Sequence, residues 1–363
     1  MNKCTLLIDG NWLLISRFSV MLDLFNASNS KTELDSAKEK LKDMMARSIN
    51  IALNRLPMVD NIIFVADGGS WRKKLPIPKQ LDNITYKGNR EKEKTVDISW
   101  NHVFDALNEF VNNLSNLGIT TCRQLNIEGD DWVWYWSRKL NDQGTNCIIW
   151  SADHDLMQLV QNKGEVFTAW MYDRKGKTEI VFHKNLELHN PGPDELDFFM
   201  QPMVYRPNLV EELEKKSTSS TYIDPNTIIN NKIICGDAGD NIKSVVRVQK
   251  NNRTYGVGQK DWAKIASKLD IVSIYDLIDH IDEVSEEISN IKKFANLVSV
   301  QDIKEMIEYN INLVWLNEQI IPEPIVAVMN QHDYNQYDLS YIRGSYTTLL
   351  GENDDIKDIF ESI

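Results

Sequence analysis

Nine carboxylates in this chain stand where acids from distant segments can be gathered into one pocket. Residues 146–155 read NCIIWSADHD, an apolar run of strand length that ends in Asp153 and Asp155, spaced so that both can face one cavity while His154 points away. Two more short apolar runs end in an aspartate: TLLID at Asp9 and IIFVAD at Asp67. Glu128, Asp130 and Asp131 open a helix after a further strand at 118–125, and GDAGDN carries Asp237 and Asp240. Taken singly, each is more often a cap, a turn residue or a solvated acid. Asp67, before Gly68-Gly69, is the plainest case, and the helix dipole alone accounts for one acid among Glu128, Asp130 and Asp131. Taken together they would raise one another's pKa unless cations neutralised them.

The donor set says which cations. The four cysteines are widely spaced with no C-x-x-C pair, and the six histidines show no H-x-x-x-H pair, so any metal here is a hard, oxygen-bound ion and the cysteines are reduced core thiols. Magnesium keeps several waters and takes few carboxylates directly, so nine acids suit two ions with an outer shell. Two such ions about 3.5–4 Å apart activate a water and stabilise the leaving oxygen of a phosphodiester. Other acid chemistries fit less well. An EF-hand starting at Asp237 needs an acid at loop position twelve, which is Val248. An aspartyl nucleophile at Asp9 would want a second aspartate two residues on, where Asn11 stands. No P-loop, G-x-S-x-G or dinucleotide fingerprint occurs.

The elements that must position these acids alternate. Strands are expected at 4–9, 61–66, 118–125 and 146–150, with a hairpin from 166–170 and 179–182; helices are expected at 33–56, 96–117, 132–140, 225–235 and 261–269. After β1-like residues 4–9, Gly10-Asn11 is read as a turn. Strands alternating with helices imply an α/β fold with a mostly parallel sheet, whose functional crevice lies at the carboxyl ends of the strands. At 363 residues the chain has room for one large α/β domain and a smaller helical one. No apolar stretch approaches the roughly 20 residues of a membrane span, and MNKCTLLIDG has too short an apolar run for a signal peptide; the expected location is cytoplasmic, without a membrane partner.

Net charge is −13, which argues against nucleic acid as a partner until its distribution is considered. From Arg72 to Lys94 there are eight basic residues against three acidic ones, and from Lys243 to Lys264 six against one. The first stretch, with Arg72, Lys73 and Lys74, is polar and proline-broken and is expected at the surface as a loop or arch, with Trp71 and Tyr86 interleaved as nucleic-acid contacts require. The second contains Lys243, Arg247, Lys250, Arg253 and Lys260 around Gly256-Val257-Gly258, a glycine pair before a helix that can bring backbone N–H groups to a phosphate.

In order along the chain, LIDGN, VADGG, YKGNR, IEGDD, SADHD, GDAGDN and YGVGQKDW resemble the flap endonuclease and 5′→3′ exonuclease family, most closely its bacteriophage branch, which includes the phage enzymes called ribonuclease H. The resemblance runs from Leu7 to about Ile265. It implies a PIN-like α/β nuclease fold with a helix–three-turn–helix DNA-binding module. Asp9, Asp67, Glu128 and Asp130 match the family's first metal cluster, Asp153, Asp155, Asp237 and Asp240 its second, and Asp131 an acid that supports the site in phage members. Lys87 and Arg90 match the basic residues that contact the scissile phosphate, and Tyr86 a position where a base can stack. Gly256 and Gly258 match the hairpin that holds duplex phosphate, with a bound K+. Between Ile242 and Tyr255 the chain is longer than the family's usual link, and residues 184–222 look like an insertion.

The expected domains are a PIN-like nuclease domain over 1–183 with a basic arch at about 71–95, an insertion or long connection over 184–222, the acid pair and DNA-binding module over 223–270, and a helical region over 271–363. The expected activity is Mg2+-dependent (two ions, Mn2+ substituting) 5′→3′ exonuclease and flap cleavage with ribonuclease H activity. Its substrates would be DNA and RNA–DNA duplexes, as in primer removal during phage replication, and the chain would act as a monomer in the host cytoplasm. Ile356, Ile359, Phe360 and Ile363 share one helical face, either core or a peptide that docks on a sliding clamp or single-strand-binding protein. Two alternatives remain: a PIN-type single-strand ribonuclease, and a non-catalytic structure-specific DNA-binding protein.

Overall fold

An unbroken apolar run makes Cys4–Asp9 a strand, β1, buried along its whole length in the computed structural model. The structure describes residues 3–28, 30–81, 84–88, 100–163, 166–174, 177–181, 204–205, 225–250 and 253–351. The chain divides into two compact units, one of Met1–Gly69, Val96–Pro207 and Pro324–Ile363, the other of Ser70–Thr95 and Asn208–Glu323. The basic stretch after Gly69 thus groups with the second unit, and the C-terminal stretch with the first.

In the first unit, β1 is followed by β2 (Asn61–Val65), β3 (Thr120–Cys122), β4 (Asn146–Trp150), β5 (Gln161–Lys163), β6 (Val166–Arg174), β7 (Lys177–Val181) and β8 (Val204–Tyr205). Their order in the sheet is β3-β2-β1-β4-β6-β7-β8, with β5 also beside β6. The pairs from β3 across to β6 are parallel, while β6 and β7 form the expected antiparallel hairpin. The chain winds outward from β1 through β2 to β3 and then returns to β4 on β1's other side. That reversal is a topological switch point, which opens a crevice at the carboxyl ends of β1 and β4.

Four helices clothe this sheet: α1 (Gly10–Ala27), α2 (Lys31–Arg55), α3 (Trp100–Asn116) and α4 (Gly129–Asp142). The stripe Leu41, Met45 and Ile49 of α2 packs with Leu13 and Phe18 of α1, Leu107 and Phe110 of α3, and Leu6, Ile8, Ile62 and Phe64 of the strands in one core. Helix α4 packs against β1, β2 and β4, and Trp132 and Trp136 are fully buried in it. Helix α1 corrects the reading of Gly10-Asn11 as a turn. Asp9 caps it, accepting from the Trp12 N–H, and the helix meets the sheet so closely that a Cβ on Gly10 would lie 2.3 Å from the Phe64 ring. Its apolar residues run round most of the helix, including exposed Ile15, Val20 and Leu24, so the 3.6-residue period that marks a surface helix is weak.

The second unit holds α5 (Pro225–Cys235), a two-stranded ribbon of β9 (Val248–Lys250) and β10 (Arg253–Tyr255), α6 (Gln259–Lys268), α7 (Ile274–Asp279), α8 (Ile281–Ser289) and α9 (Val300–Val314). Ile233, Ile234, Leu277, Val284, Ile288, Phe294 and Ile307 form its core, joined by Leu81 and Tyr86. The described part of the stretch 71–88 is surface chain, as expected, anchored by four buried residues, Trp71, Arg72, Leu81 and Tyr86. Trp71–Lys74 is a 3-10 turn with Trp71 and Arg72 buried. Lys73 and Lys74 are exposed.

Within the sheet unit, α10 (Glu323–Met329) leads to residues that cross the amino ends of the strands. Tyr334 Oη lies 2.9 Å from Thr5 Oγ1, Asn61 donates to the Asn335 carbonyl at 2.8 Å, and the Asn335 N–H donates to Thr120 Oγ1 at 2.9 Å. Helix α11 (Ser340–Gly344) then places Arg343 on the carboxyl end of α2, where its guanidinium donates to the Leu56 and Val59 carbonyls at 3.0 and 2.7 Å. Arg90, the face bearing Ile356 to Ile363, and most of residues 184–222 lie outside the described residues.

Candidate active site

Each acid of the sheet unit is aimed by the element that ends or begins at it. Asp9 closes β1, Asp67 follows β2 by two residues, Glu128 precedes α4 in the connection from β3, and Asp153 caps the 3-10 turn His154–Leu159 after β4. Three strand ends and one helix start thus bring acids to the carboxyl side of the sheet, beside the switch point.

Hydrogen bonds fix them there. Asp9 accepts from the Trp12 N–H at 3.0 Å through one oxygen and from Ser151 Oγ at 2.7 Å through the other. Asp67 accepts from the Gly129 N–H at 2.6 Å and from Asn11 Nδ2 at 2.9 Å. Asn11 completes a reciprocal clamp by accepting from the Asp67 N–H at 2.9 Å. Ser151 Oγ also accepts from the Asp153 N–H at 3.0 Å, and Asp153 accepts from the Asp155 N–H at 2.9 Å. Asp131 is fully buried and accepts from the Glu128 N–H at 3.3 Å, so it holds Glu128 in place from inside the fold. Asp130 stands in the first turn of α4. His154 is exposed, its ring 5.6 Å from that of Trp170.

The charge is concentrated as well as ordered. Burial pushes the Asp9 carboxyl up to about 6 against the lowering effect of its Trp12 and Ser151 hydrogen bonds, and the charges of Asp67 and Asp153 push the same way. A cation among these acids would remove the cause of that repulsion. Among the described residues, no three Asp, Glu, His or Cys side chains converge as a ready-made metal cage. The carboxylates face protein donors instead, and a carboxylate oxygen can accept from more than one direction. All-oxygen donors and the repulsion that Asp67 and Asp153 exert on Asp9 fit a hard, oxygen-bound divalent ion.

In the second unit, GDAGDN makes a tight turn. Asp237 and Ile242 exchange backbone hydrogen bonds at 2.9 and 2.8 Å. Burial opposes the charge on Asp237, but Lys232 Nζ at 2.7 Å and the Gly239 N–H outweigh it and hold the carboxyl below the usual range. Asp240 accepts from the Lys87 backbone through its carbonyl at 2.9 Å, while its carboxylate lies 3.4 Å from Tyr86 Oη and 3.9 Å from Lys87 Nζ. Lys87 takes a left-handed φ of 55° to do this. Tyr86 is only 6% exposed, so its ring is packed inside this unit and not presented as a stacking surface. Arg72, 2% exposed with its guanidinium 4.5 Å from the Trp71 ring, is likewise no surface contact for a phosphate. Lys260 and Gly258 are exposed at the start of α6, and Arg253 is exposed on the ribbon.

Residues 4–187 match the model of the N-terminal resolvase-like domain of 5'-3' exonucleases. The chain belongs to the 5'-3' exonuclease family. A 5'-3' exonuclease of Mycoplasmopsis pulmonis is 24% identical over 360 residues, covering 96% of this chain and 95% of the relative. Among solved structures, the T5 D15 protein crystallised with metal ions superposes with a TM-score of 0.55 at 17% identity, covering 95% of this chain and 99% of that one. The bacteriophage T5 D15 flap endonuclease in a complex with DNA and metal ions gives the same TM-score at 16% identity, with coverage of 96% and 100%. The likeness to these structures is one of fold: a mostly parallel sheet flanked by helices, with a helical C-terminal region.

Within this exonuclease fold, three residues of the site escape a reading that looks for acids. Asn11 reads as part of a turn, and no acid count singles out Ser151 or Lys232. Each lies within five residues of an acid in sequence, but only Lys232 pairs with that neighbour's carboxylate, Asp237; Asn11 clamps Asp67 and the Ser151 hydroxyl donates to Asp9. Buried carboxylates need donors, and that need is the signal that finds them.

Proposed function

We propose that the protein is a divalent-metal-dependent 5′ nuclease that hydrolyses phosphodiester bonds near the 5′ ends of duplexes and flaps, with RNA–DNA hybrids among its substrates, as in removing primers during phage DNA replication. The observation that carries this reading is the gathering of Asp9, Asp67, Glu128 and Asp153 at the carboxyl side of the sheet. A buried carboxyl held against Asp67 and Asp153 at the switch point of the sheet, in a chain of the 5'-3' exonuclease family, is better explained by a cation and a phosphate than by stability. The T5 D15 relatives crystallised with metal ions and with DNA support the same assignment of partners.

Asp9, Asp67, Glu128 and Asp130 would hold Mg2+ or Mn2+, with Asp153 and Asp155 completing the acids of the sheet unit. Bound there, the metal lowers the pKa of a water and offsets charge on the leaving oxygen. The chain's own residues do the rest. Ser151 and the Trp12 N–H hold Asp9 ionised, Asn11 and the Gly129 N–H orient Asp67, and Asp131 fixes Glu128. In the second unit, Asp237 and Asp240 are charge-balanced by Lys232 and Lys87, and Lys87 with Arg90 would stabilise the phosphate as charge develops on it. The hairpin at Gly256 and Gly258 would take duplex phosphate at the start of α6, with K+ as its companion ion.

The test is cleavage of a labelled 5′-flap and of an RNA-primed duplex, with Mg2+ and with EDTA. Parental protein should cut both in Mg2+ and neither in EDTA, and Asp153→Asn with Asp155→Asn should lower the rate at least about 100-fold. A double variant that cuts at the parental rate defeats the mechanism. Faster cutting of unpaired RNA than of the forked duplex would point instead to a single-strand ribonuclease.

A further inference from the structure

The ribbon inserted between the acid turn and the hairpin sets basic residues against one another in register. Its register sets Arg253 directly opposite Lys250, and like charges at such a position destabilise an antiparallel pair. A two-stranded ribbon is marginal to begin with. At its base a second like-charge pair recurs. Burial, with the charge of Arg247 adding to it, lowers the pKa of the Lys243 ammonium. Among the described residues no carboxylate pairs with Lys243, Arg247 or Arg253, although the chain carries a net charge of −13.

The ribbon is nonetheless firmly rooted. Ser244 Oγ accepts from the Val257 N–H at 2.8 Å and donates to the Ile234 carbonyl at 3.2 Å. Gly256 lies so close that a Cβ there would stand 2.7 Å from Ser244 Cβ. Between root and ribbon is a cavity of about 290 Å³ whose walls include Lys243, Arg247, Thr254 and Gly256. Gln249, Arg253, Thr254 and Tyr255 are exposed, so the surface is polar and cationic, with one exposed aromatic. Single-strand binders interleave several stacking rings with their cations. A two-stranded ribbon instead fits the major groove of a duplex, about 12 Å wide.

We propose that the β9–β10 ribbon is an added finger that grips duplex nucleic acid by its phosphates, with Lys250 and Arg253 as its outer pair and Lys243 and Arg247 at its root. Phosphates placed between like charges turn each repulsion into two attractions. The inference rests on the duplex substrate proposed above and deepens it by giving the extra segment a share of the grip.

The experiment measures binding of the full chain to a fluorescent blunt duplex in EDTA, between about 50 and 200 mM salt. It compares the parent, Lys250→Ser with Arg253→Ser, and the charge-keeping Lys250→Arg with Arg253→Lys, all checked for fold by circular dichroism. Each lost phosphate contact reduces the log–log salt slope by about 0.9. The serine pair should therefore be shallower than the parent by about 1.8, the charge-keeping pair should match the parent, and the slope on an unpaired oligonucleotide should not change. Equal duplex slopes for parent and serine pair overturn the finger, as does an equal loss on the unpaired strand. If the parent cuts flaps in Mg2+ and only the serine slope fails to change, the ribbon proposal alone falls. If the parent shows no salt-dependent duplex binding and no cutting, both fall.

Discussion

Asp9 shows how much of this site depends on neutral neighbours. Its carboxyl is pushed up to about 6 by burial and by Asp67 and Asp153, and the Ser151 hydroxyl at 2.7 Å works in the opposite direction. Removing that hydroxyl raises the pKa further, so a proton competes better with a metal for the same oxygens. Ser151→Ala should consequently need more Mg2+ for half-maximal cleavage, and the excess should be larger at pH 6 than at pH 8, where Asp9 is ionised with or without the serine. An equal increase at both pH values would assign Ser151 a purely structural role. Asp9→Asn removes the charge itself and should abolish the rise in melting temperature that Mn2+ gives the parent, while leaving the circular dichroism of the metal-free protein unchanged.

At the scale of elements, the segment after α10 decides whether the sheet unit holds. Arg343 donates to the Leu53, Leu56 and Val59 carbonyls, at the end of α2 and in the turn before β2. Arg343→Ala should cost about 2–3 kcal/mol, as hydrogen bonds to charged groups do, read from urea unfolding. His332 packs its ring edge-on against Trp132, centroids 4.6 Å apart. Burial pulls its pKa down against the raising effect of Asp333. Because the folded state takes up this proton at lower pH than the unfolded chain, the contribution is fully present above about pH 6.5 and is lost as the pH falls through the folded value. His332→Gln should flatten the acid side of the stability profile; an unchanged slope would exclude His332 as its source. Several elements were legible because their periods are clean: the α2 stripe, the β6–β7 hairpin and the apolar strands. Helix α1 was not, since apolar residues on most of its circumference leave no stripe to detect.

For the whole molecule, chain order and compact unit do not coincide. The sheet unit takes back residues 324–363 after the second unit has been completed, and the second unit takes the stretch 70–95. Deleting everything after Asn330 should therefore loosen the sheet unit, which loses Tyr334 on Thr5, Asn335 on Asn61 and Thr120, and Arg343 on α2. Hydrogen exchange should speed up in the β2 and β3 amides of the truncated chain, whereas unchanged protection would mean these contacts are incidental.

By itself the sequence determined the acids, their order and the side of the sheet on which they gather, because an apolar run ending in aspartate specifies both a strand and what stands at its end. Cysteine and histidine are too scattered in it to compete with oxygen, so the ion proposed for this site is a hard, oxygen-bound one. Tertiary structure alone decided the partners. Asn11 clamps Asp67 across 56 residues and Ser151 holds Asp9 across 142. Tyr86, read as a contact for a polyanion, went into a core supplied by residues more than 140 positions away, and Arg72 is buried against the neighbouring Trp71 ring. Local pattern records what a residue can offer; burial and pairing depend on what distant segments bring to it, and no spacing within one segment carries that information.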